Sequence, residues 1–548
     1  MAEIPVQPTP GYTARRPLVP GRRGMVSAAH PLAATAGVKA LLRGGSAIDA
    51  AVAVAATLNV VEPQMSGMLG IGWLLYHEAA SGKGHVLNYS GRAPREATSD
   101  RFDEKNRWSG ILSPVVPAAL AGWHEAHRRF GTLPWEGLFA DAIAIAEEGF
   151  PASRHLVALI GFSAERKFGP WPSSLAVYLP QGRVPRAGDP IVQRDLAQSM
   201  REAAAHGPAA LREGDLGRRV VEFCTAHGGI LTREDLASYA PDWEEPISTT
   251  YRGREVRTVP PNASAFQVLE TLNLLEGFEV GDLAPNGADF LHLMFEAAKV
   301  ATADRIAYGS DPRDRKVPTA ELISKEFAAR RRPLVRMDRA MVSEGERWNA
   351  APPAEAVRAG DAWGLTTHFS VVDAKGNVAS VTQTNGLIFG SGVVIGGTGL
   401  VLNNGLLWFE TDARSPNVVG PGRRFEMPLA PVQVLSEGRP VLSLGTPGSF
   451  GIPHTTVQVI SHVLDFGADL QEAIEAPRGR TLSGVDAELE SRVPAEVRAE
   501  LERRGHRLKL LTDYSMEVGG VQGIAIDPGT GMLLGAADPR RDGYAVGF

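Results

Sequence analysis

Cysteine is almost missing from this chain of 548 residues. Cys224 is the only one, so no disulfide can form within one molecule and no disulfide framework can define the fold. It stands in Val221-Glu222-Phe223-Cys224, a pattern that predicts a buried apolar side chain on a helix and not a nucleophile.

An excess of positive charge is also missing. The 56 Lys and Arg residues are outnumbered by 62 Asp and Glu residues, which gives a net charge of −6 at pH 7. A protein that binds nucleic acid through its phosphates needs a basic surface. The composition therefore predicts no nucleic-acid partner.

Long apolar runs are absent from the sequence as well. The run from Ala50 to Val61 is ended by Glu62-Pro63, and it is too short to span a bilayer, so it predicts a buried helix and no membrane association. The N-terminus, Met1 to Pro8, lacks the basic and apolar regions of a signal peptide. We therefore expect a cytoplasmic protein.

No cluster of metal ligands is apparent in the sequence. His292 and His368 stand without the neighbouring ligands that a zinc site would need, so both are expected to be structural. The sequence thus predicts no metal and no cofactor.

What is present is an ordinary globular composition whose pattern changes along the chain. Hydrophobic residues make up 44% and charged residues 22%, which fits one large domain or two to three smaller ones. Residues 114–245 are mostly helical in pattern, a long helix is predicted over 286–308, and the chain becomes β-rich from Thr366. This order suggests helices outside two stacked sheets. The other predicted elements are helices 31–43, 47–58, 453–464 and 469–476, and strands 71–77, 86–90, 366–372, 378–384, 393–402, 440–444, 523–526 and 532–536.

Two adjacent threonines, Thr366 and Thr367, open the first of these late strands. A threonine hydroxyl is a weak nucleophile that needs a base. If the Leu365–Thr366 bond were cut, the free α-amine of Thr366 could be that base, so the segment suggests a precursor that cuts its own backbone. Residues 309–362 before it, rich in Arg, Ala and Pro, fit either a flexible lead-in or a plain exposed helix and loop.

Two other segments could assist such a nucleophile. Thr384 would lie beside Thr366 if their strands pair in register, and the turn from Gly445 to Ser449 could offer backbone N–H groups to an oxyanion. Taken alone, a threonine pair in a strand and a glycine turn are more often structural than catalytic.

Several motifs in the same order resemble the γ-glutamyltransferase family of N-terminal-nucleophile hydrolases, over residues 24 to the C-terminus. Thr366 to Asp373 is similar to the start of that family's small subunit, where the first threonine is the nucleophile. The other matching motifs are Gly44-Gly45-Ser46-Ala47-Ile48-Asp49, Val61-Glu62-Pro63, Ser66-Gly67, Gly131-Thr132-Leu133-Pro134-Trp135, Glu296-Ala297, Ala303-Asp304-Arg305 and Ala537-Asp538-Pro539-Arg540.

The resemblance implies an α+β fold, a four-layer αββα sandwich. Thr366 would be the nucleophile, and cleavage of Leu365–Thr366 would give a large subunit, 1–365, and a small subunit, 366–548. These would form a heterodimer within one compact domain, with further dimerisation left open. Thr384 matches the family's second threonine, which hydrogen-bonds the nucleophile. Gly448 and Ser449 match the paired glycines of its oxyanion hole, which uses backbone N–H groups.

The residues expected to hold the substrate depart from the family. Ser90 stands where the family has an arginine for the α-carboxylate, and Arg92, two positions on, is either its replacement or a surface residue. Trp408 replaces the aspartate that holds the substrate amine, in the run Asn403-Asn404-Gly405-Leu406-Leu407-Trp408-Phe409. The stretch from Phe425 to Leu429 lacks the family's serine pair, which binds the substrate α-carboxylate. The family's lid segment, which lies between these two motifs, is shortened here to residues 411–424.

A further departure is Gly386, which replaces a family asparagine although Asn385 is adjacent. Arg92, Asn385, Asn404 and Trp408 are therefore the candidate substrate-binding residues. Because a buried ammonium group without a carboxylate partner is costly, we expect poor binding of γ-glutamyl groups. Leu406, Leu407 and Trp408 would form an apolar wall for an acyl group that lacks an amine.

The expected function is that of a self-processing amidohydrolase that forms an acyl-threonine intermediate on a small amide, with water as the acceptor. Oxamate-like and cephalosporin-acylase-like substrates both fit the altered pocket. The alternatives are a genuine γ-glutamyl hydrolase or transpeptidase that acts on glutathione-like substrates through rearranged anchors such as Arg92, and a non-catalytic relative.

Overall fold

Two seven-stranded antiparallel sheets form the centre of the molecule. The computed structural model describes residues 15–103, 106–342, 364–481 and 484–548. The strands of the two sheets are β1 (Val19–Gly21), β2 (Met25–Ala28), β3 (Ile71–Glu78), β4 (Lys83–Tyr89), β7 (Asp242–Glu244), β8 (Ile247–Tyr251), β9 (Arg254–Thr258), β10 (Gly364–Val372), β11 (Val378–Leu387), β12 (Val432–Ser436), β13 (Arg439–Gly445), β17 (Gln522–Ile526), β18 (Leu533–Ala537) and β19 (Tyr544–Gly547). The first sheet has the strand order β19-β2-β10-β11-β3-β4-β7. The second has the order β1-β18-β17-β13-β12-β9-β8.

Smaller strand groups lie outside these two sheets. A pair is formed by β5 (Phe150–Pro151) and β6 (Pro190–Ile191), and a three-stranded sheet by β14 (Gly479–Thr481), β15 (Asp486–Glu490) and β16 (Arg507–Leu511).

The two large sheets stack face to face and are joined by buried polar contacts. The hydroxyls of Ser370 on β10 and Ser443 on β13 lie 3.0 Å apart, and the Ser27 hydroxyl on β2 donates to the Ala536 carbonyl (2.6 Å). A Cβ on Gly445 would lie 2.3 Å from the ring of His368, so this glycine lets the imidazole fit between the sheets. Burial lowers the pKa of His368 to about 3, which keeps the ring neutral.

Helices cover both outer faces. The Pro31–Leu42 and Ala47–Val61 helices pack on the first sheet, and the Phe266–Leu275 and Ile452–Leu464 helices, with Ala288–Tyr308 beyond them, cover the second. These layers make the αββα sandwich that the resemblance implies. The remaining helices in the described residues are Ala119–Phe130, Ala140–Glu148, Arg154–Ser163, Pro172–Tyr178, Arg194–His206, Ala209–Arg212, Asp215–Ala226, Arg233–Ser238, Thr319–Leu322, Lys325–Arg331, Leu470–Glu475 and Ala495–Arg503.

The apolar run that contains Ala50–Val61 is a buried helix. Ser46 and Asp49 form a capping box at its start, and every residue from Ala47 to Val61 is buried. Within the described residues, no helix is both long enough and apolar enough to cross a membrane. Cys224 lies in the Asp215–Ala226 helix, fully buried, and burial raises the pKa of its thiol to about 12, so its predicted role as an apolar side chain is confirmed.

The β10–β11 hairpin is tied to this buried helix by Asp373. One carboxylate oxygen, Oδ1, accepts the N–H groups of Lys375 and Asn377 in the hairpin turn, at 2.9 and 3.1 Å. The other, Oδ2, accepts the backbone N–H of Ala47 at the helix N-terminus, at 2.9 Å. An acid at a helix N-terminus is favourable, so one side chain fixes both the turn and the helix that packs behind it.

One predicted strand is wrong. Residues 393–402 form a buried loop with a single bridge between Val394 and Val401. Gly397 and Gly399 adopt positive φ angles there, which reverses the chain within a few residues. The alternating apolar side chains that suggested a strand are buried equally well in this tight loop. Of the predicted loose segment 309–362, the described part contains two short helices, and 343–362 lie outside the described residues.

Candidate active site

Thr366 lies at an irregularity in the pairing of β10 with β11. Leu365 pairs with Gly386 and Thr367 with Gln383, so both Thr384 and Asn385 stand opposite Thr366 alone. Two residues that face one define a β-bulge, a feature that often occurs beside active sites. The hydroxyl of Thr384 accepts the N–H of Gly386 (2.8 Å), which fixes the Thr384 side chain within the bulge.

The hydroxyl of Thr366 is buried and has no hydrogen-bond partner among the described residues, so the expected hydrogen bond with Thr384 is not formed at this oxygen. Only 1% of the residue is exposed. A buried hydroxyl without a partner lowers stability, so native proteins rarely keep one without a functional reason. The Thr367 hydroxyl is also without a hydrogen-bond partner in the described part of the chain, so it is the position of Thr366 at the bulge that sets it apart.

The turn predicted as the oxyanion hole lies between β13 and the Ile452–Leu464 helix, and it packs against β10. Gly448 has φ +139° and Ser449 has φ +51°. The Thr446 hydroxyl donates to the Pro447 carbonyl (2.7 Å) and accepts the N–H of Gly520 (3.0 Å), which holds the turn in place. Ser449 thus adopts the left-handed conformation that favours the glycine of the family pattern, so a serine here leaves the backbone path unchanged.

Near the Thr366 backbone lie a buried acid, Glu62, and a buried cation, Arg541, which were not among the site residues predicted from the sequence. Burial raises the pKa of Glu62 to about 8, although the Thr367 hydroxyl and the Arg541 charge beside it oppose the rise. Arg541 donates from Nη1 to the carbonyl oxygen of Thr366 (3.3 Å). The signal that could have identified them was the charge of Glu62 at the end of an apolar helix and of Arg541 beside the C-terminal motif.

We expect Glu62→Gln to change the pH dependence of stability. Folded Glu62 binds its proton up to about pH 8, whereas the unfolded side chain has the ordinary glutamate pKa of 4.5 and loses its proton there. The folded state therefore holds more protons between these two values, and the stability of the native protein falls as pH rises through that window. A folded pKa of about 8 corresponds to a loss of a few kcal/mol, roughly 1.4 kcal/mol per pH unit.

Thermal unfolding measured from pH 5 to pH 9 checks this expectation. Glu62→Gln should lose less stability than the unaltered protein as pH rises, and the two curves should run parallel above pH 8. Glu78→Gln is a matched control, because Glu78 is exposed and its pKa is lowered, by the Ser81 hydroxyl first of all. Identical pH profiles for the Glu62 variant and the unaltered protein would contradict the prediction.

The three residues predicted to form an apolar wall lie side by side in the interior. Leu406, Leu407 and Trp408 are buried, and the Trp408 ring stacks on Phe425 with 5.8 Å between ring centroids and 7° between the planes. Phe425 begins the stretch that replaces the family's serine pair. Both departures from the family thus form one aromatic surface.

Asn404 and Asn385 are both held by the backbone around the bulge. Asn404 accepts the N–H of Leu387 (2.9 Å) and donates to the carbonyl of Trp108 (2.7 Å), and Asn385 donates to the carbonyl of Pro63 (3.3 Å). A Cβ on Gly386 would lie 1.8 Å from Oδ1 of Asn404. The Asn404 side chain therefore fills the space that an asparagine at position 386 would need.

Arg92 belongs to a cluster of charges at the end of β4. It donates to Asp242 (3.4 Å), and Asp242 and Glu244 also pair with Arg424. Ser90, at the position of the family's arginine, accepts a hydrogen bond from Asn262 (3.2 Å). Burial lowers the pKa of Arg424 to about 10, so this second cation stays charged at neutral pH. Arg424 was not predicted as a site residue, although it immediately precedes the substituted stretch 425–429.

The expectation that His292 has no neighbouring ligands is wrong. Potential ligand atoms of His292, Glu296 and His506 lie within 4.8 Å of one another, and His292 Nδ1 is 2.8 Å from His506 Nε2. The ammonium of Lys299 donates to Glu296 (2.6 Å) and already supplies a positive charge there. The second Glu296 oxygen accepts the N–H of Met341 (2.7 Å), so the cluster holds residues 336–341 against the long helix.

Comparisons with known proteins identify one family along the chain. The model of a family described as Gamma-glutamyltranspeptidase matches residues 33–548. The Acylase ACY 1 proenzyme of Pseudomonas sp. (strain SE83) is 39% identical over 100% of this chain and 97% of the relative, and the Glutathione hydrolase proenzyme of Bacillus subtilis (strain 168) is 31% identical over 99% and 94%. The crystal structure of cephalosporin acylase from Bacillus halodurans superposes with a TM-score of 0.89, at 33% identity, over 100% of this chain and 99% of that one.

Proposed function

Because the chain belongs to the gamma-glutamyltranspeptidase family and is an amide hydrolase of that family, we propose that it cuts its own Leu365–Thr366 bond and then hydrolyses small amides with Thr366 as nucleophile. The observation that carries the proposal is the buried, unpartnered Thr366 hydroxyl at the bulge, next to the turn that contains Gly448 and Ser449. That its relatives are proenzymes supports cleavage into two subunits.

The proposed reaction uses the Thr366 hydroxyl and α-amine, at the start of the small subunit, and the backbone of the Gly448–Ser449 turn. The Thr366 hydroxyl attacks the amide carbonyl carbon while the Thr366 α-amine takes the hydroxyl proton. The N–H groups of Gly448 and Ser449 stabilise the negative charge that develops on the carbonyl oxygen. The amine then returns the proton to the leaving nitrogen, and water hydrolyses the acyl ester on Thr366.

We further propose that the acyl group lacks an α-amine. The aromatic surface of Trp408 and Phe425 offers no carboxylate to an ammonium group, and Ser90 is bonded to Asn262. The Arg92 and Arg424 cluster, by contrast, could attract a carboxylate at the far end of an acyl chain. Among the relatives, the name Acylase ACY 1 proenzyme fits this choice, and Glutathione hydrolase proenzyme names the alternative.

Three anilides that differ only in the acyl chain test the substrate class. We expect kcat/KM for glutaryl anilide to exceed that for γ-glutamyl anilide by about 10–100-fold, because an ammonium group left without its partner costs roughly 1.5–3 kcal/mol. Butyryl anilide, which lacks the carboxylate, should also react more slowly than glutaryl anilide. Trp408→Asp should reduce the ratio of the kcat/KM values for the glutaryl and γ-glutamyl compounds, because it restores a carboxylate for the ammonium group. Faster release of aniline from the γ-glutamyl compound would instead favour the γ-glutamyl hydrolase alternative.

A further inference from the structure

Arg541 is built into a fixed position beside the backbone of Thr366. Its Nη1 donates to the Thr366 carbonyl oxygen (3.3 Å) and lies 3.5 Å from the sulfur of Met65. Only 4% of the residue is exposed. A Cβ on Gly520 would lie 2.6 Å from Cδ of Arg541, so the glycine leaves the path that this side chain follows. Arg541 is therefore a buried cation aimed at the nucleophile and not a surface charge.

Three acids face Arg541. They are Glu62 from the end of the Ala47–Val61 helix, and Asp538 and Asp542 from its own segment. Burial raises the pKa of Glu62 to about 8 and also raises that of Asp542, so Glu62 is mostly neutral at pH 7. His155, in the Arg154–Ser163 helix, also faces Arg541, and it is neutral because burial lowers its pKa to about 3.

The other two acids have partners of their own. Asp542 accepts a hydrogen bond from the Ser153 hydroxyl (2.5 Å), and Asp538 is shared with two other cations. It pairs with Arg478 and, at 3.2 Å, with Arg540. In the described part of the chain, Nε and Nη2 of Arg541 have no hydrogen-bond partner. Arg540 in turn pairs with Glu490 (2.7 Å), so those buried ions balance one another. Arg541 is the cation whose guanidinium contacts the Thr366 carbonyl directly.

A positive charge at this place acts on the α-amine that cleavage would create. The amine nitrogen of Thr366 is three covalent bonds from the carbonyl oxygen that Arg541 holds. An ordinary α-amine has a pKa of about 7.7–8.0, and a nearby cation lowers this value because it disfavours the ammonium form. A base that must accept a proton at neutral pH has to be unprotonated beforehand.

We propose that Arg541 is a positioning residue that fixes the Thr366 backbone and keeps the new α-amine of Thr366 in its unprotonated, basic form. This inference rests on the proposed function of Thr366. It adds a role for a side chain 175 residues away in the sequence, which touches the nucleophile's carbonyl and not the substrate.

The test is the pH dependence of kcat/KM for an anilide substrate, measured from pH 5 to pH 9. Arg541→Lys keeps the charge, whereas Arg541→Met and Arg541→Gln remove it with different side-chain volumes. The neutral variants should shift the acid limb of the profile upward by about one pH unit, which means about tenfold lower kcat/KM at pH 6 relative to pH 9. Arg541→Lys should keep the limb near its position in the unaltered protein.

The possible outcomes separate positioning from a merely structural role. A neutral variant that folds but stays uncut, while Arg541→Lys is cut, would support the positioning of the Thr366 backbone. A cut neutral variant with an unshifted acid limb would overturn the proposal. So would neutral variants that both fail to fold beside a normal Arg541→Lys, because Arg541 would then serve the stability of the fold.

Failure of the proposed function itself is recognised by Thr366→Ala measured in parallel. If that variant were cut and active, Thr366 would not be the nucleophile, whatever the Arg541 variants show. If it is uncut and inactive and only the Arg541 profiles are unshifted, this inference alone fails.

Discussion

Thr366→Ala is expected to migrate as one uncut chain of 548 residues and to lose amidase activity by about 10⁴-fold or more. Alanine lacks the hydroxyl that attacks the Leu365 carbonyl, so the α-amine is never released, and it also lacks the nucleophile for the substrate. One missing oxygen therefore removes both reactions. The variant should fold normally, because the Thr366 hydroxyl has no hydrogen-bond partner among the described residues to lose.

Denaturing electrophoresis and an amidase assay check this expectation together. Fragments 1–365 and 366–548 should be seen for the unaltered protein and not for Thr366→Ala. Thr366→Ser is the matched control, since it keeps a hydroxyl on the same backbone and should be cut and partly active. Cleavage and activity in Thr366→Ala would show that another residue is the nucleophile.

Gly448→Ala is expected to lower kcat by about 10²–10³-fold, the usual cost of losing one oxyanion-hole donor. The φ angle of +139° at Gly448 lies where residues with a Cβ are strained. Space is not the obstacle, since the nearest atom to an added Cβ would be 3.6 Å away. The turn should instead relax to another backbone conformation, which directs the N–H groups at 448 and 449 away from the oxyanion.

Gly438→Ala is the control for backbone strain without chemistry. Gly438 also has a positive φ, +77°, and nothing lies within 4 Å of an added Cβ, but it is in the turn between β12 and β13, away from Thr366. It should cost about 1 kcal/mol of stability and leave kcat unchanged. Steady-state kinetics on both variants decides the matter, and full activity in Gly448→Ala would remove this turn from the mechanism.

Much of the fold could be predicted because local pattern and tertiary structure agree. The apolar run that predicts a helix over 47–58 and the alternation that predicts strands at 366–372 and 378–384 are visible in the sequence. The structure has a buried helix over Ala47–Val61 and a central hairpin at these places. The loop at 393–402 shows the limit, since alternating apolar residues do not distinguish a strand from a buried turn.

The candidate site was predictable only where motifs carry it. Thr366, Thr384 and the glycine turn stand in recognisable runs. The bulge depends on a pairing register that no single strand reveals. Arg541 and Glu62 are 479 positions apart, and their effect comes from burial and mutual charge, which only the folded chain provides.

The order of strands also has a consequence for how the protein must be made. In the first sheet, β10 and β11 lie between β2 and β3, and in the second, β12 and β18 pair with β9 and β1. After a cut before Thr366, each sheet would contain strands from both fragments, so neither fragment would have a complete sheet by itself. We therefore expect the strands of the two sheets to pair while the chain is still uncut. Fragments expressed separately should expose unpaired strand edges and aggregate, instead of assembling into the enzyme.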